Sequence, residues 1–346
     1  MKKLLCHLML TGFTTALFAQ SRSETPFLTR SFANQAISNV EVKTSGGSIA
    51  IAGVGASEAR VEVYVHANND NQNKVSQEEI RRRLEENYDL TVTLNNNRIS
   101  AVARPKERNM DWKKGLSISF KVFAPKNVNS NLVTSGGSIS LKDVSGSQNF
   151  TTSGGSLHVD NLSGETNGIT SGGSIHVVNS KDDIKLTTSG GSIHAENCSG
   201  DLRLSTSGGS LNLADLKGNI EANTSGGSIN GRNIQGELST STSGGSIRLN
   251  DMMCSLETST SGGSIDISIK EFGKYLKINN SAGNVDVQIP GNKGIDLSLT
   301  ANRIVVPSLQ NFNGRMDKEE VEGKLNGGGI PVTVRAGSGR INLSMR

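Results

Sequence analysis

One pentapeptide governs what this chain can fold into. Thr-Ser-Gly-Gly-Ser begins at Thr134, Thr152, Thr170, Thr188, Thr206, Thr224, Thr242 and Thr260, and every step is 18 residues. A ninth copy starts at Thr44, and weaker versions appear at Asn280-Ser281-Ala282-Gly283-Asn284 and Ala336-Gly337-Ser338-Gly339. A fixed period of this size is the mark of a repeat architecture, in which each row is one structural unit stacked on the next.

Aligned in rows of 18, the sequence resolves into columns. After each Ser stand Ile139, Leu157, Ile175, Ile193, Leu211, Ile229, Ile247 and Ile265, and two places on Leu141, Val159, Val177, Ala195, Leu213, Gly231, Leu249 and Ile267. Apolar residues at period 2 predict a strand with one buried face. An Asx column follows (Asp143, Asn161, Asn179, Asn197, Asp215, Asn233, Asp251), then a mostly apolar column that includes Cys198, and usually a Gly two residues later. A second strand carries Ile184, Leu202, Ile220, Leu238 and Leu256, with Gln148 and Thr166 at that place in the first two rows.

Each row therefore reads as strand, Asx-Gly corner, strand, Gly-Gly corner. The pattern predicts two strands of about five residues joined by four-residue corners. Asn and Asp tolerate the left-handed conformation at one corner, and their amides can bond the same residue one coil away. Gly-Gly supplies positive φ at the other. A single row buries too few aliphatics to offset its ordering entropy, so rows must stack. The expected fold is all-β: a flattened, two-sheet parallel β-solenoid with 18-residue coils, right-handed by the usual crossover preference.

The flanks interrupt this order. Val40 and Val42 lead into the Thr44 copy, and Val61, Val63 and Val65 alternate after it. Ser76-Gln77-Glu78-Glu79 predicts a capped helix through about Asn87, with Ile80, Leu84 and Tyr88 on its apolar side. Leu90–Leu94 and Arg98–Ala103 read as a hairpin about Asn95-Asn96-Asn97, and Leu116–Phe123 as a further strand. A helix-plus-hairpin insertion packed on the end of the solenoid would cover the unpaired N–H and C=O groups of a terminal coil. Residues 271–346 lose the strict step and predict an irregular C-terminal cap. The expected organisation is a signal peptide at 1–19, an N-terminal cap at 20–133, the regular solenoid at 134–270 and the C-terminal coils at 271–346.

Residues 1–19 have a basic start, an apolar run and small residues before Gln20, the pattern of a secretory signal cleaved after Ala19. Export to the periplasm, cell surface or medium is expected, and no later apolar run approaches the ~20 residues of a membrane-spanning helix. The net charge of +4, two of it from Lys2 and Lys3, is too small to point to nucleic acid. Cys198 and Cys254 fall about three coils apart, beyond disulfide reach, and read as free thiols. Cys198 shares an apolar column and is expected to be buried; Cys254 replaces a turn Gly and is expected to be more exposed.

The repeats, together with Leu116–Ile139 and the ending Gly323–Ser344, make the chain similar to a family of exported bacterial β-strand-repeat proteins labelled "putative adhesin". The resemblance covers about residues 37–344 and implies a solenoid fold and an association with the cell envelope. It implies no catalytic residues and no cofactor. Partners of the class it suggests are an envelope or extracellular protein or a glycan, and bare coil ends would offer a route to self-association.

Catalytic motifs are lacking. The SGGS segments run into strands and not into the helix N-terminus that a phosphate loop requires, and no G-x-S-x-G is present. The one cluster with metal-ligand chemistry is His158, His176 and His194, which share an outward column with Asp160 and Glu196 two positions on. The same column holds Ser140, Asn212, Asn230, Arg248 and Asp266, as an ordinary exposed polar column would. A non-enzymatic binding or structural element is the expectation, with a polysaccharide-active β-helix lyase or hydrolase as the alternative.

Overall fold

The structure, a computed structural model, describes residues 25–68, 75–107 and 115–346. The signal-peptide reading at 1–19 lies outside the described residues. From Asn129 to Asn280 the chain winds as a parallel stack in which each row pairs with the row 18 residues away, until the step lengthens to 20 after Thr260. Leu157 faces Ile139 and Ile175, Ile175 faces Ile193, and Ile193 faces Leu211. The second sheet repeats the rule, with Ile184 opposite Thr166 and Leu202. The inward columns merge into one continuous hydrophobic core. This is the all-β solenoid that the columns predict.

The two strands of a row are unequal, which the sequence pattern did not convey. A short strand such as Leu157–Asp160 has four residues and a long one such as Ser163–Thr170 has eight. Between them the Asx corner shrinks to a kink, with Asp143, Asn161, Asn179, Asn197, Asp215, Asn233 and Asp251 at φ of 52–58°. Their side chains form the expected ladder: Asn161 Nδ2 donates to Asp143 Oδ1 at 2.6 Å and Asn197 Nδ2 to Asn179 Oδ1 at 2.7 Å.

The Gly-Gly corner works differently from the expectation of positive φ. Neither glycine of any TSGGS copy has a positive φ. The second is required because the coils touch there: a Cβ on Gly191 would lie 2.1 Å from the carbonyl oxygen of Gly173, and one on Gly155 2.0 Å from that of Gly137. The Thr of each copy is buried beside this contact. Thr188 Oγ1 donates to Gly173 O at 2.8 Å and accepts from Gly191 N at 3.3 Å, and the same pair of bonds recurs from Thr134 to Thr260. In the following coil Asn280 takes over, its Nδ2 donating to Gly263 O at 2.9 Å.

At both ends spatial order departs from chain order. Strands Asn39–Lys43 and Ile49–Val54 stack directly on the coil of Thr134, pairing with Asn129–Val133 and Ile139–Lys142. Their other edges pair in parallel with Arg98–Pro105 and Leu116–Pro125, so part of the insertion forms one further coil beneath. Antiparallel strands close that coil: Tyr88–Asn95 on the first, Arg60–Ala67 on the second, and Leu28–Ser31 on Arg60–Ala67. Helix Gln77–Asn87 forms as expected, with the Ser76 hydroxyl accepting from Glu79 N and with Ile80 and Leu84 buried.

The C-terminal end mirrors this plan. Strand Ile330–Met345 pairs in parallel with residues 276–280 and 285–289 on one side and with Ile295–Val305 on the other. Glu320–Leu325 then caps Ile295–Val305 antiparallel, and Phe312–Met316 caps that strand. The two weak repeat copies are consecutive floors, since a Cβ on Gly339 would meet the Gly283 carbonyl oxygen at 1.7 Å. Each end thus seats a segment near its own chain terminus directly against the shaft, covered by a layer drawn from nearer the middle of the chain.

Candidate functional site

The histidine column is the sharpest chemical feature on the shaft. Strand registry sets His158 opposite His176 and His176 opposite His194, because each sits one residue beyond a buried aliphatic and so points outward. The rings of His158 and His176 stack, with centroids 5.4 Å apart and planes 9° from parallel. His194 is tilted by 48° from His176 at 5.9 Å. Its Nε2 lies 3.3 Å from Glu196 Oε2, and Arg232 Nη2 approaches Glu196 Oε1 at 3.4 Å. Asp160 is held by Lys142 Nζ at 3.3 Å and by Asn179 Nδ2 at 3.0 Å.

The structure therefore brings the three histidines together, with Asp160 and Glu196 on the same face. It arranges them as a ladder, and among the described residues no three His, Cys, Asp or Glu side chains converge on one point. A depression of about 310 Å³ opens beside His176 and His194, bounded by Ser174, Ser192 and Asn212. The pKa of His176 is held below its ordinary value, first by burial of the ring and then by the charge of its two histidine neighbours.

On the other sheet the outward columns frame a depression of about 460 Å³ lined by Asp201, Arg203, Asn219, Glu221, Glu237 and Ser239, among others. Arg203 and Glu221 oppose one another at 3.9 Å, and the Tyr275 hydroxyl donates to Glu237 at 3.0 Å. Mixed charges at coil spacing make a polar surface with no nucleophile set against a base.

Among the described residues the two thiols, Cys198 and Cys254, are free and buried. For Cys254 this corrects the expectation of greater exposure: its relative exposure is 2 %. The reason is a break in register. Cys254 pairs with Phe272 whereas Leu256 pairs with Leu276, so the next coil carries two extra residues at this corner and covers the sulfur. Burial pushes the Cys254 thiol up to about 12. Cys198 is raised as well, again chiefly by burial.

Fold and surface together define a repetitive β-fold protein built as a solenoid. The sequence pattern of the family described as Toastrack DUF4097 matches residues 179–344. Among solved structures the chain is similar to one titled "putative cell adhesion protein" from Clostridium sporogenes ATCC 15579. That likeness has 10% sequence identity and a TM-score of 0.20, and covers 90% of this chain and 93% of that one. No curated protein matches the sequence.

Proposed function

We propose that the protein is a non-enzymatic, adhesin-like binding or structural element of the bacterial cell envelope, exported by its N-terminal signal. One observation carries this reading: coil after coil pairs in unbroken register from Asn129 to Thr242, so the side chains of both faces stand on a rigid ladder. A ladder of this kind presents the same kinds of group again and again at ~4.8 Å. That suits recognition of an extended or repetitive partner, or a load-bearing spacer, better than it suits one reacting centre. Rows of uniform length leave no long loops with which to build a catalytic cleft. The match to the Toastrack family supports the fold side of the reading, and the leader pattern in residues 1–19 supports export.

Cell fractionation with N-terminal sequencing, followed by incubation of the mature protein with neutral and anionic envelope glycans, tests the proposal. The expected result is a chain beginning at Gln20 outside the cytoplasm that sediments with envelope material and releases no reducing ends or unsaturated sugars. Turnover of a glycan would replace this reading with that of a polysaccharide lyase or hydrolase.

A further inference from the structure

We infer that His176, His194 and Glu196 form a surface site for one divalent transition-metal cation, held between two adjacent coils. The donor set is the first argument. Two imidazoles and a carboxylate suit Zn²⁺ or Cu²⁺ and do not suit the hard cations that prefer all-oxygen cages.

Spacing is the second argument. With Zn–N bonds of ~2.0–2.1 Å, two imidazoles on one tetrahedral ion have ring centres roughly 5 to 6 Å apart. Strand registry already sets the His176 and His194 centroids 5.9 Å apart. The backbone therefore supplies the separation, and only rotation of exposed side chains between staggered rotamers is needed to turn their nitrogens to a common point.

The third argument distinguishes this pair from its neighbour. His158 and His176 are stacked nearly parallel, and the carboxylate beside His158 meets Lys142 and Asn179, as Glu196 meets Arg232, so the difference lies in the rings. His194 is already tilted out of the stack, and Glu196 lies against its Nε2. That carboxylate can fix the imidazole tautomer or ligate the ion itself. A depression beside the two rings, bounded by Ser174, Ser192 and Asn212, leaves room for the remaining water ligands.

The site is tested on the untagged mature chain by isothermal titration with Zn²⁺ and with Cu²⁺, and in parallel by NMR of the histidine rings. Asn occupies this column naturally at Asn212 and Asn230, so His→Asn variants keep the stack. One ion per chain is expected. His176→Asn and His194→Asn should each abolish binding, Glu196→Gln should weaken it about tenfold, and His158→Asn should leave it within about twofold, all with unchanged circular dichroism. Absence of heat and of ring shifts at millimolar metal would overturn the inference. So would binding that survives His194→Asn but is lost in His158→Asn. The titration needs no envelope partner, so its outcome is independent of the adhesin-like reading.

Discussion

The shaft and the two ends use the same pairing but solve opposite problems. In the shaft, neighbours in space are 18 residues apart in sequence: Leu157 meets Ile175, and Ile175 meets Ile193. At the ends they are far apart, as where Asn39 pairs with both Arg98 and Asn129, or Val285 with Ile341. A repeating sequence can specify continuation, since each row is a template for the next, but it cannot specify a stop. Stopping requires strands that run the other way, and antiparallel pairs close the stack at both ends. The clasped order adds a lock: the layer seated on the shaft can leave only if the layers outside it leave too.

The largest effect should come from breaking that lock. Removing residues 330–346 strips the partner from both flanking layers and exposes two sets of strand edges. Concentration-dependent oligomers are expected by light scattering, together with loss of hydrogen-exchange protection across residues 276–305. Excising one whole shaft coil, residues 188–205, should leave a cooperative, protected fold. Equal damage from the two deletions would erase the distinction between end and shaft.

Within the shaft, the paired glycines give the next largest contrast. Gly191→Ala forces a methyl into the Gly173 carbonyl and should cost on the order of 3 kcal/mol in chemical denaturation. At Gly190 the nearest atom to an added Cβ is 3.5 Å away, so Gly190→Ala should change stability by less than about 0.5 kcal/mol. Thr188→Val leaves the Gly173 carbonyl and the Gly191 N–H without their hydroxyl partner and should cost about 1–3 kcal/mol. The outward Thr187→Val should be nearly neutral by the same measurement.

A small pH effect completes the series. His176 titrates lower in the folded chain than its ordinary value of 6.5, so below that pH the unfolded chain binds more protons. Stability should therefore be complete above pH 6.5 and decline as the pH falls toward the folded value. Lys142, Asp160, Glu196 and Arg232 are the charged groups near this column. Denaturation midpoints measured between pH 7.5 and 5 should show a shallower decline in His176→Asn.

The comparison also marks what the sequence could convey. Columns of identical residues show which positions share an environment, and so the solenoid, the Asx ladder and the outward histidines were legible. Columns do not show why a residue is required. Gly191 was assigned to a torsional role, whereas its role is a backbone contact with Gly173, because identity alone does not give the direction of a missing Cβ. The buried hydroxyl bonds of Thr188 likewise leave no trace in the column beyond the identity of the residue. Cys254 was misplaced because column logic assumes the 18-residue step, and the step from Thr260 to Asn280 is 20. The ends were legible as elements, including helix Gln77–Asn87, but not as an order, since a strand's second partner leaves no periodic trace. For the histidines the column gave proximity, while ring tilt and the Glu196 contact come from packing.

Pulsed electron–electron resonance between nitroxides tests the stacked-coil claim most directly. In a chain expressed from Gln20, and so without Cys6, the buried thiols of Cys198 and Cys254 stay unlabelled, so spin labels report only introduced sites. Pairs at Ser140/Asn212 and Ser140/Arg248 span four and six coils, and backbone separations of ~19 Å and ~29 Å are expected at ~4.8 Å per coil. Distances that grow with the number of coils would match the stack. Distances that do not scale with coil number would contradict it.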